Sequence, residues 1–385
     1  MYEKIIKADL GADVRIIDLR TDTLSRPTQE MKEAMYIADL GDDVYGEDPT
    51  VTELERRSAE LLGKEDALFL VSGTMANLIT IMVQCSHRGS EIISGDKGHT
   101  CCLEQGGPAQ IAGVQSSPIK NEDDGTFSLD VLREAINVNP NVFEPKTSLI
   151  IVENTHNLCG GVVLPLDWLE KVGDIAAEHN IPVHMDGARL INAAVYLRVS
   201  PKRVARDVDT VFFSLSKGLG CPVGAVLAGS NDFITKARRV RKVLGGGWRQ
   251  AGVLAAAGLV ALDTMIDRTK IDHEHALKIA KAIHQMKSNI FKVDLAKVQT
   301  NIILMYIDRS KVDLKQLQRR LQTVLDGDSV RASVRCSSLK SNCVRFVLYY
   351  EITAEDVQLA CDKIQLVIKE YDEIFSLKNV IPQFK

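Results

Sequence analysis

The chain has 385 residues, 45% hydrophobic and 25% charged, the balance of an ordinary soluble globular protein long enough for two domains. Forty-seven basic against 51 acidic residues leave a formal net charge of −4, so neither nucleic acid nor a membrane is the expected partner. Eight irregularly spaced cysteines point to reduced thiols in a cytosol-like compartment rather than to a disulfide framework.

Met1–Asp13 alternates charged with apolar residues and lacks the long apolar core of a signal peptide. No apolar stretch approaches the ~20 residues of a membrane span, and a cytoplasmic location is expected. Residues 1–50 read as an N-terminal arm. From about residue 66 to 230, short apolar runs alternate with amphipathic stretches. The strand candidates are Ala67–Val71, Glu91–Ser94, Ser148–Val152, Pro182–Met185, Thr210–Ser214 and Ala225–Ala228, with helices such as Leu129–Asn137 and Leu166–His179 between them. Strands spaced by helices are βαβ units, so the expected class is α/β, a mostly parallel sheet covered by helices. Several runs end in polar residues, Glu153-Asn154, Asp186-Gly187 and Ser216-Lys217, at the edge where open α/β sheets bind ligands.

The basic run Lys236–Lys242 reads for the most part as a solvated helix face. Gly245-Gly246-Gly247 then breaks the pattern before an Ala/Leu-rich helix, Gln250–Ile266, which closes a large domain of residues 51–269. Residues 270–385 read as a smaller α+β domain, with strands Asn301–Ile307, Ser329–Cys336 and Val344–Tyr350 and helices Leu314–Val324 and Ala354–Lys369. Cys101-Cys102 beside His99 hints at a metal, but no second ligand cluster has zinc spacing, and none is expected.

Three segments carry chemistry. Val211–Ser214 is a buried-strand pattern that leads through Leu215-Ser216 to Lys217; alone, such a lysine sits in an exposed turn more often than not. Upstream, Val183-His184-Met185 leads to Asp186. A lysine amine and a carboxylate on two strand ends are what pyridoxal phosphate requires, one for the Schiff base and one to keep the ring nitrogen protonated. Ser72-Gly73-Thr74 joins a strand to a helix start, where backbone N–H groups and hydroxyls suit a phosphate; by itself it is equally a helix cap.

Taken together, these segments resemble the low-specificity L-threonine aldolases, pyridoxal-phosphate enzymes of the aspartate-aminotransferase-like fold type I. The resemblance runs from about Ile17 to Glu274. It is carried by Asp18-Leu19-Arg20-Thr21-Asp22-Thr23, Gly41-Asp42-Asp43-Val44-Tyr45-Gly46-Glu47-Asp48, Ser72-Gly73-Thr74-Met75, Glu153-Asn154-Thr155-His156-Asn157, Asp186-Gly187-Ala188-Arg189, Ser214-Leu215-Ser216-Lys217-Gly218 and Leu244-Gly245-Gly246-Gly247-Trp248-Arg249-Gln250.

The resemblance implies a seven-stranded-type sheet and the following roles. Lys217 carries the cofactor, Asp186 pairs with its ring nitrogen, and His99 stacks on the ring. His156 is a second active-site histidine, and either histidine is the base. Ser72, Gly73 and Thr74 hold the phosphate; Thr21, Arg189 and Arg345 face the substrate, Arg189 also lying against the cofactor. Lys242 and Arg249 reach the phosphate of a neighbouring subunit, so a homodimer or homotetramer with shared sites is expected. The implied reaction cleaves a β-hydroxy-α-amino acid to glycine and an aldehyde.

The chain departs from the family pattern at Thr21, where serine is usual, and at Tyr349, where histidine is expected. It departs again at Thr100-Cys101-Cys102-Leu103, where aromatic residues normally precede the glutamate. That last change is the chief ground for one alternative, racemisation or serine β-chemistry on the same scaffold; transamination and a cofactor-binding module without turnover stay open beside it.

Overall fold

The computed structural model describes residues 13–339 and 342–380, so the Met1–Asp13 reading lies outside the described residues except at Asp13. Two compact units divide the chain between Asp22 and Thr23 and again between Lys270 and Ile271. The segment expected as an arm is thus shared: Arg15–Asp18 (β1) belongs to the smaller unit, and Thr23 onward to the larger.

The larger unit is built on seven strands: β2 (Asp66–Leu70), β3 (Ser90–Gly95), β4 (Gln115–Ile119), β5 (Lys146–Glu153), β6 (Val183–Gly187), β7 (Thr210–Ser214) and β8 (Ala225–Gly229). Their order across the sheet is β2-β8-β7-β6-β5-β3-β4. All neighbours pair in parallel except β8, which runs antiparallel to both β2 and β7. Two reversals restore direction, so β2 points the same way as β3 to β7. This is the mostly parallel, helix-covered α/β sheet expected. Every residue of β6, β7 and β8 is buried. Because successive side chains point to opposite faces, both faces of these central strands are covered.

The edge strand β4 was absent from the sequence reading. Its QSSPI sequence has only Ile119 buried, and a half-exposed edge strand with a proline lacks the apolar run that announces the central ones. Other elements shortened slightly: Leu129–Ala135 and Leu166–Glu178 are the observed helices, the former capped by Ser128, whose hydroxyl accepts from Val131 N. The helices Gly73–Gln84 and Asn231–Val243 share one core with the sheet, joining Ala76, Ile79, Phe233, Ile234 and Ala237 to Leu68, Phe212 and Leu227.

The basic helix corrects the sequence reading in part. Arg241 is buried, bound to Asp43 at 2.7 Å and to the Phe69 carbonyl at 3.1 Å, while Arg238 reaches Glu55 at 2.6 Å. Only long-range partners distinguish these arginines from solvated ones, and local periodicity contains no trace of them.

In the smaller unit β1 pairs in parallel with β11 (Ala332–Arg335). A second, antiparallel sheet runs β12 (Ser337–Ser338), β13 (Cys343–Val347), β10 (Ile302–Ile307), β9 (Phe291–Lys292). The helices Leu314–Gln322 and Ala354–Val380 complete an α+β unit. No described helix is long and apolar enough to cross a membrane.

Candidate active site

In parallel α/β sheets the strand ends collect function because loops leave the sheet there while helix N-termini face back toward it. Here β7, β6, β5 and β3 are consecutive neighbours. Their carboxyl ends lead to Lys217, to Asp186 with Arg189, to Glu153 with His156, and to His99. β2 runs the same way, so Ser72-Gly73-Thr74 leaves from the same edge. Five loops far apart in sequence therefore share one rim.

Lys217 lies three residues beyond β7 and is half-buried; its carbonyl accepts from Ser25 Oγ at 2.7 Å and from Gly220 N at 2.9 Å, which fixes the backbone of the turn. Asp186 pairs in register with Phe212 of β7 and is buried. Its Oδ2 accepts from Asn77 Nδ2 at 2.9 Å and its Oδ1 from Ala188 N at 3.1 Å. Gly187 is obligatory, because a Cβ there would lie 2.2 Å from the Phe212 carbonyl oxygen. Arg189 is buried immediately before the helix Leu190–Leu197, with Nη1 3.5 Å from Asn157 Oδ1.

The Ser72 hydroxyl accepts from Met75 N at 3.2 Å, so it caps the helix Gly73–Gln84, the bland function weighed for it. The first i→i−4 bond runs from Ala76 N to Ser72 O at 3.1 Å, which leaves the Gly73 and Thr74 amides ahead of the helical ladder. An anion suits that position. Gly73 also packs where no side chain fits: a Cβ would sit 2.5 Å from the Phe212 ring.

His99 opens a short helix after β3. Its amide donates to Glu153 Oε2 at 2.6 Å and its Nδ1 lies 2.8 Å from Glu104 Oε1. Burial, the largest influence on its ring, disfavours the imidazolium. The bond to Glu104 and the nearby charges of Asp186, Glu104 and Glu153 outweigh it, and the His99 pKa is raised. Burial, the largest influence on Glu104, raises its pKa, against the bonds from His99 and Asn77, which lower it. Ligand atoms of His99, Glu104 and Asp186 lie within 4.8 Å of one another, and Asn77 Nδ2 bonds both carboxylates of this group.

His156 is buried, and its Nδ1 has no partner among the described residues. Thr100 Oγ1 and Thr155 Oγ1 are likewise buried and unpartnered. His99, Thr100, Glu153, His156 and Asp186 line one small cavity of about 10 Å³. Thr100 and His156 thus bring unsatisfied polar atoms to the lining of this cavity. Leu103, in the segment that departs from the family pattern, is 51% exposed.

Thr21 and Arg345 belong to the smaller unit, where Arg345 of β13 donates Nη2 to the Arg20 carbonyl at 3.2 Å and Nε to Ser337 Oγ at 3.2 Å. Lys242 and Arg249 are exposed, Arg249 pairing with Asp42 at 3.0 Å. Sequence reasoning assigned no role to Asn77, Glu104, Glu153 or His184. For His184 a signal existed: two residues before Asp186, it shares that residue's face of β6.

A model of the beta-eliminating lyase family matches residues 18–310. The chain is 44% identical to low-specificity L-threonine aldolase 1 of Arabidopsis thaliana, across 90% of this chain and 96% of that protein. It is 42% identical to the low specificity L-threonine aldolase of Escherichia coli K12, across 72% of this chain and 82% of that one. The solved structure of Leishmania major threonine aldolase matches with a TM-score of 0.73 over 91% of this chain and 99% of that chain; at 18% identity the likeness is one of fold.

Proposed function

The chain belongs to the beta-eliminating lyase family and, within it, to the low-specificity L-threonine aldolases, and from that premise we propose that it cleaves L-threonine and L-allo-threonine to glycine and acetaldehyde. It is a carbon–carbon lyase with pyridoxal 5'-phosphate as its cofactor. The observation that carries this reading is the common rim: Lys217 and Asp186 follow paired strands, and the Ser72–Thr74 turn leaves the same edge.

The residues fit the group. Lys217 would supply the amine that carries it, Asp186 the carboxylate for its ring nitrogen, and Gly73 and Thr74 the amides for its phosphate. When bound, the cofactor supplies the electron sink that Cα–Cβ cleavage needs. The protein's own groups do the rest. Arg189 takes the substrate carboxylate, which a guanidinium can bind bidentately; for Arg345 and Thr21 a substrate-facing role is what the family resemblance implies. His156 or His99 removes the β-hydroxyl proton; the unpartnered Nδ1 of His156 and the Glu104-bound ring of His99 are the two bases available. Asn77 and Ala188 N donate to Asp186 and fix the orientation of its carboxylate.

A homo-oligomer completes the site, Lys242 and Arg249 reaching the phosphate of a neighbouring copy. Eight cysteines at irregular spacing fit a reducing, cytoplasmic compartment. The exposed Leu103 in place of an aromatic favours one second reading, racemisation on the same scaffold. Incubation with L-threonine, L-allo-threonine, L-serine and L-alanine, following aldehyde and chirality together, separates the two. Aldehyde with glycine from the hydroxy amino acids is expected. Epimerised alanine without aldehyde overturns the aldolase reading.

A further inference from the structure

A chain of hydrogen bonds through three buried residues ends on the two carboxylates of the site. Thr210 Oγ1 on β7 lies 2.9 Å from His184 Nδ1, and His184 Nε2 on β6 lies 3.0 Å from Asn77 Oδ1. Asn77 Nδ2 then reaches Glu104 Oε1 at 2.8 Å and Asp186 Oδ2 at 2.9 Å. Thr210, His184 and Asn77 are 1%, 0% and 0% exposed, so water competes for none of these bonds.

The Asn77 amide, facing two carboxylates, sets the arrangement, although the Thr210 backbone also lies within reach of the His184 ring. Asn77 Oδ1 can only accept, so His184 must carry its proton on Nε2. Burial keeps the imidazole neutral, its pKa lowered to about 4, so Nδ1 accepts from the Thr210 hydroxyl. Both hydrogens of the Asn77 amide are then committed, one to each carboxylate. A flipped amide would set its oxygen against both carboxylates and lose the His184 bond as well. The His184 ring is stacked near Phe212, centroids 6.1 Å apart, which limits its rotation.

We infer that Asn77, locked in one orientation by His184 and Thr210, is a positioning residue that holds Asp186 and the Glu104–His99 pair in fixed relative geometry. The inference rests on the pyridoxal-phosphate aldolase reading for its meaning, though the network exists in the protein alone. Asp186 and Glu104 repel one another, and the bridging amide, donating to both, offsets that repulsion. The charged groups acting on the His99 ring are Glu104, Asp186 and Glu153. Removing the amide takes one donor from each carboxylate, leaving Asp186 the Ala188 amide and Glu104 the His99 ring; without it Glu104 holds a proton more readily, and the His99–Glu104 pair keeps its proton to higher pH.

Imidazole nitrogen NMR on ¹⁵N-labelled protein without cofactor tests the lock directly. His184 is expected as the Nε2–H tautomer from pH 5.5 to pH 9, and Asn77→Leu should move the His99 titration upward by roughly one pH unit. In the loaded enzyme Asn77→Leu and His184→Phe should lower kcat by about tenfold or more with KM little changed, an effect confined to the reaction step. His184→Gln, whose amide N–H can still reach Asn77 Oδ1, should recover part of that loss. An Nδ1–H tautomer at His184 overturns the assignment, and needs no variant to fold. So does an Asn77→Leu protein whose His99 titration and kcat match the wild type. Failure of the wild type to release aldehyde would sink the aldolase reading instead, and the cofactor-free titration would still decide the network.

Discussion

Lys217 and His99 make the sharpest tests at the scale of single residues. Lysine is rarely buried without a reaction or a partner, and Lys217 sits half-buried on a turn whose backbone is held from both sides. The loaded protein should be yellow, and borohydride should fix the cofactor to the peptide that contains Lys217. Fixation to another lysine would displace the whole site. Asp186→Ala should keep some cofactor yet lose most turnover; near-normal turnover would contradict the role given to the carboxylate. For His99 the argument runs through pH. Its pKa is raised against the opposing effect of burial chiefly by the Glu104 bond, so a neutral His99 base is lost on the acid side of that raised value. Glu104→Gln removes the charge, lowers the His99 pKa and should shift the acid limb of kcat/KM to lower pH. An unmoved limb would make His156 the base and leave His99 as a platform.

At the scale of elements, close approach of backbone to side chain decides what is tolerated. Gly73 begins the phosphate-side helix with its Cα against Phe212, a ring 1% exposed and buried on every side. Gly73→Ala must push either the ring or the helix start, an overpacking that costs roughly 1–3 kcal/mol. Urea unfolding should show the loss, and cofactor affinity should fall with it because the same turn supplies the amides. Asp48 is the comparable hinge of the Gly41–Asp48 motif. Its buried carboxylate caps the helix Pro49–Leu62 through Val51 N at 3.0 Å and also accepts from Gly252 N at 2.9 Å and Gly41 N at 3.3 Å. Asp48→Ala strands three backbone donors and should cost at least ~2 kcal/mol. A melting temperature equal to wild type would mean that water replaces the carboxylate at no cost.

At the scale of the whole molecule the open question is how many chains build one site. Val44, Tyr45 and Val243 are 37%, 76% and 75% exposed, and they lie beside Lys242 or Arg249's partner Asp42 in sequence. Apolar side chains left bare around exposed cations fit a face that a second copy covers. In a two-fold dimer such a contact occurs once in each direction. Lys217→Ala and Arg249→Ala, each nearly inactive, should therefore complement when mixed: one site of a mixed dimer collects both defects and the other neither. Random mixing makes about half the dimers mixed and should restore about one quarter of wild-type activity. Arg189→Ala mixed with Lys217→Ala is the control, since both serve the site of one chain, and should restore nothing. Recovery in the control but not in the test pair would overturn the shared site.

The sequence alone determined the elements whose signal is local. Fully buried strands such as Val211–Ser214 and Ala225–Gly229 need continuous apolar runs, and a helix start needs a capping residue such as Ser72, so both can be read from neighbours in the chain. The residues proposed to hold the cofactor, Lys217, Asp186 and Ser72–Thr74, were singled out on the same kind of signal, each standing where an apolar run stops. The polar edge strand Gln115–Ile119 was not legible, because half of its environment is solvent and its pairing with β3 is the only thing that makes it a strand. Nor was the burial of Arg241, which depends on an Asp43 that lies 198 positions away. The Thr210–His184–Asn77 chain was hidden most completely. Its members look like a strand threonine, a core histidine and a helix asparagine, and only the packing of the helix Gly73–Gln84 against β6 and β7 turns them into one hydrogen-bonded unit. Local patterning selects elements because its physics is that of neighbours; which polar groups meet is settled by tertiary packing, where a buried donor must find whatever acceptor the fold brings to it.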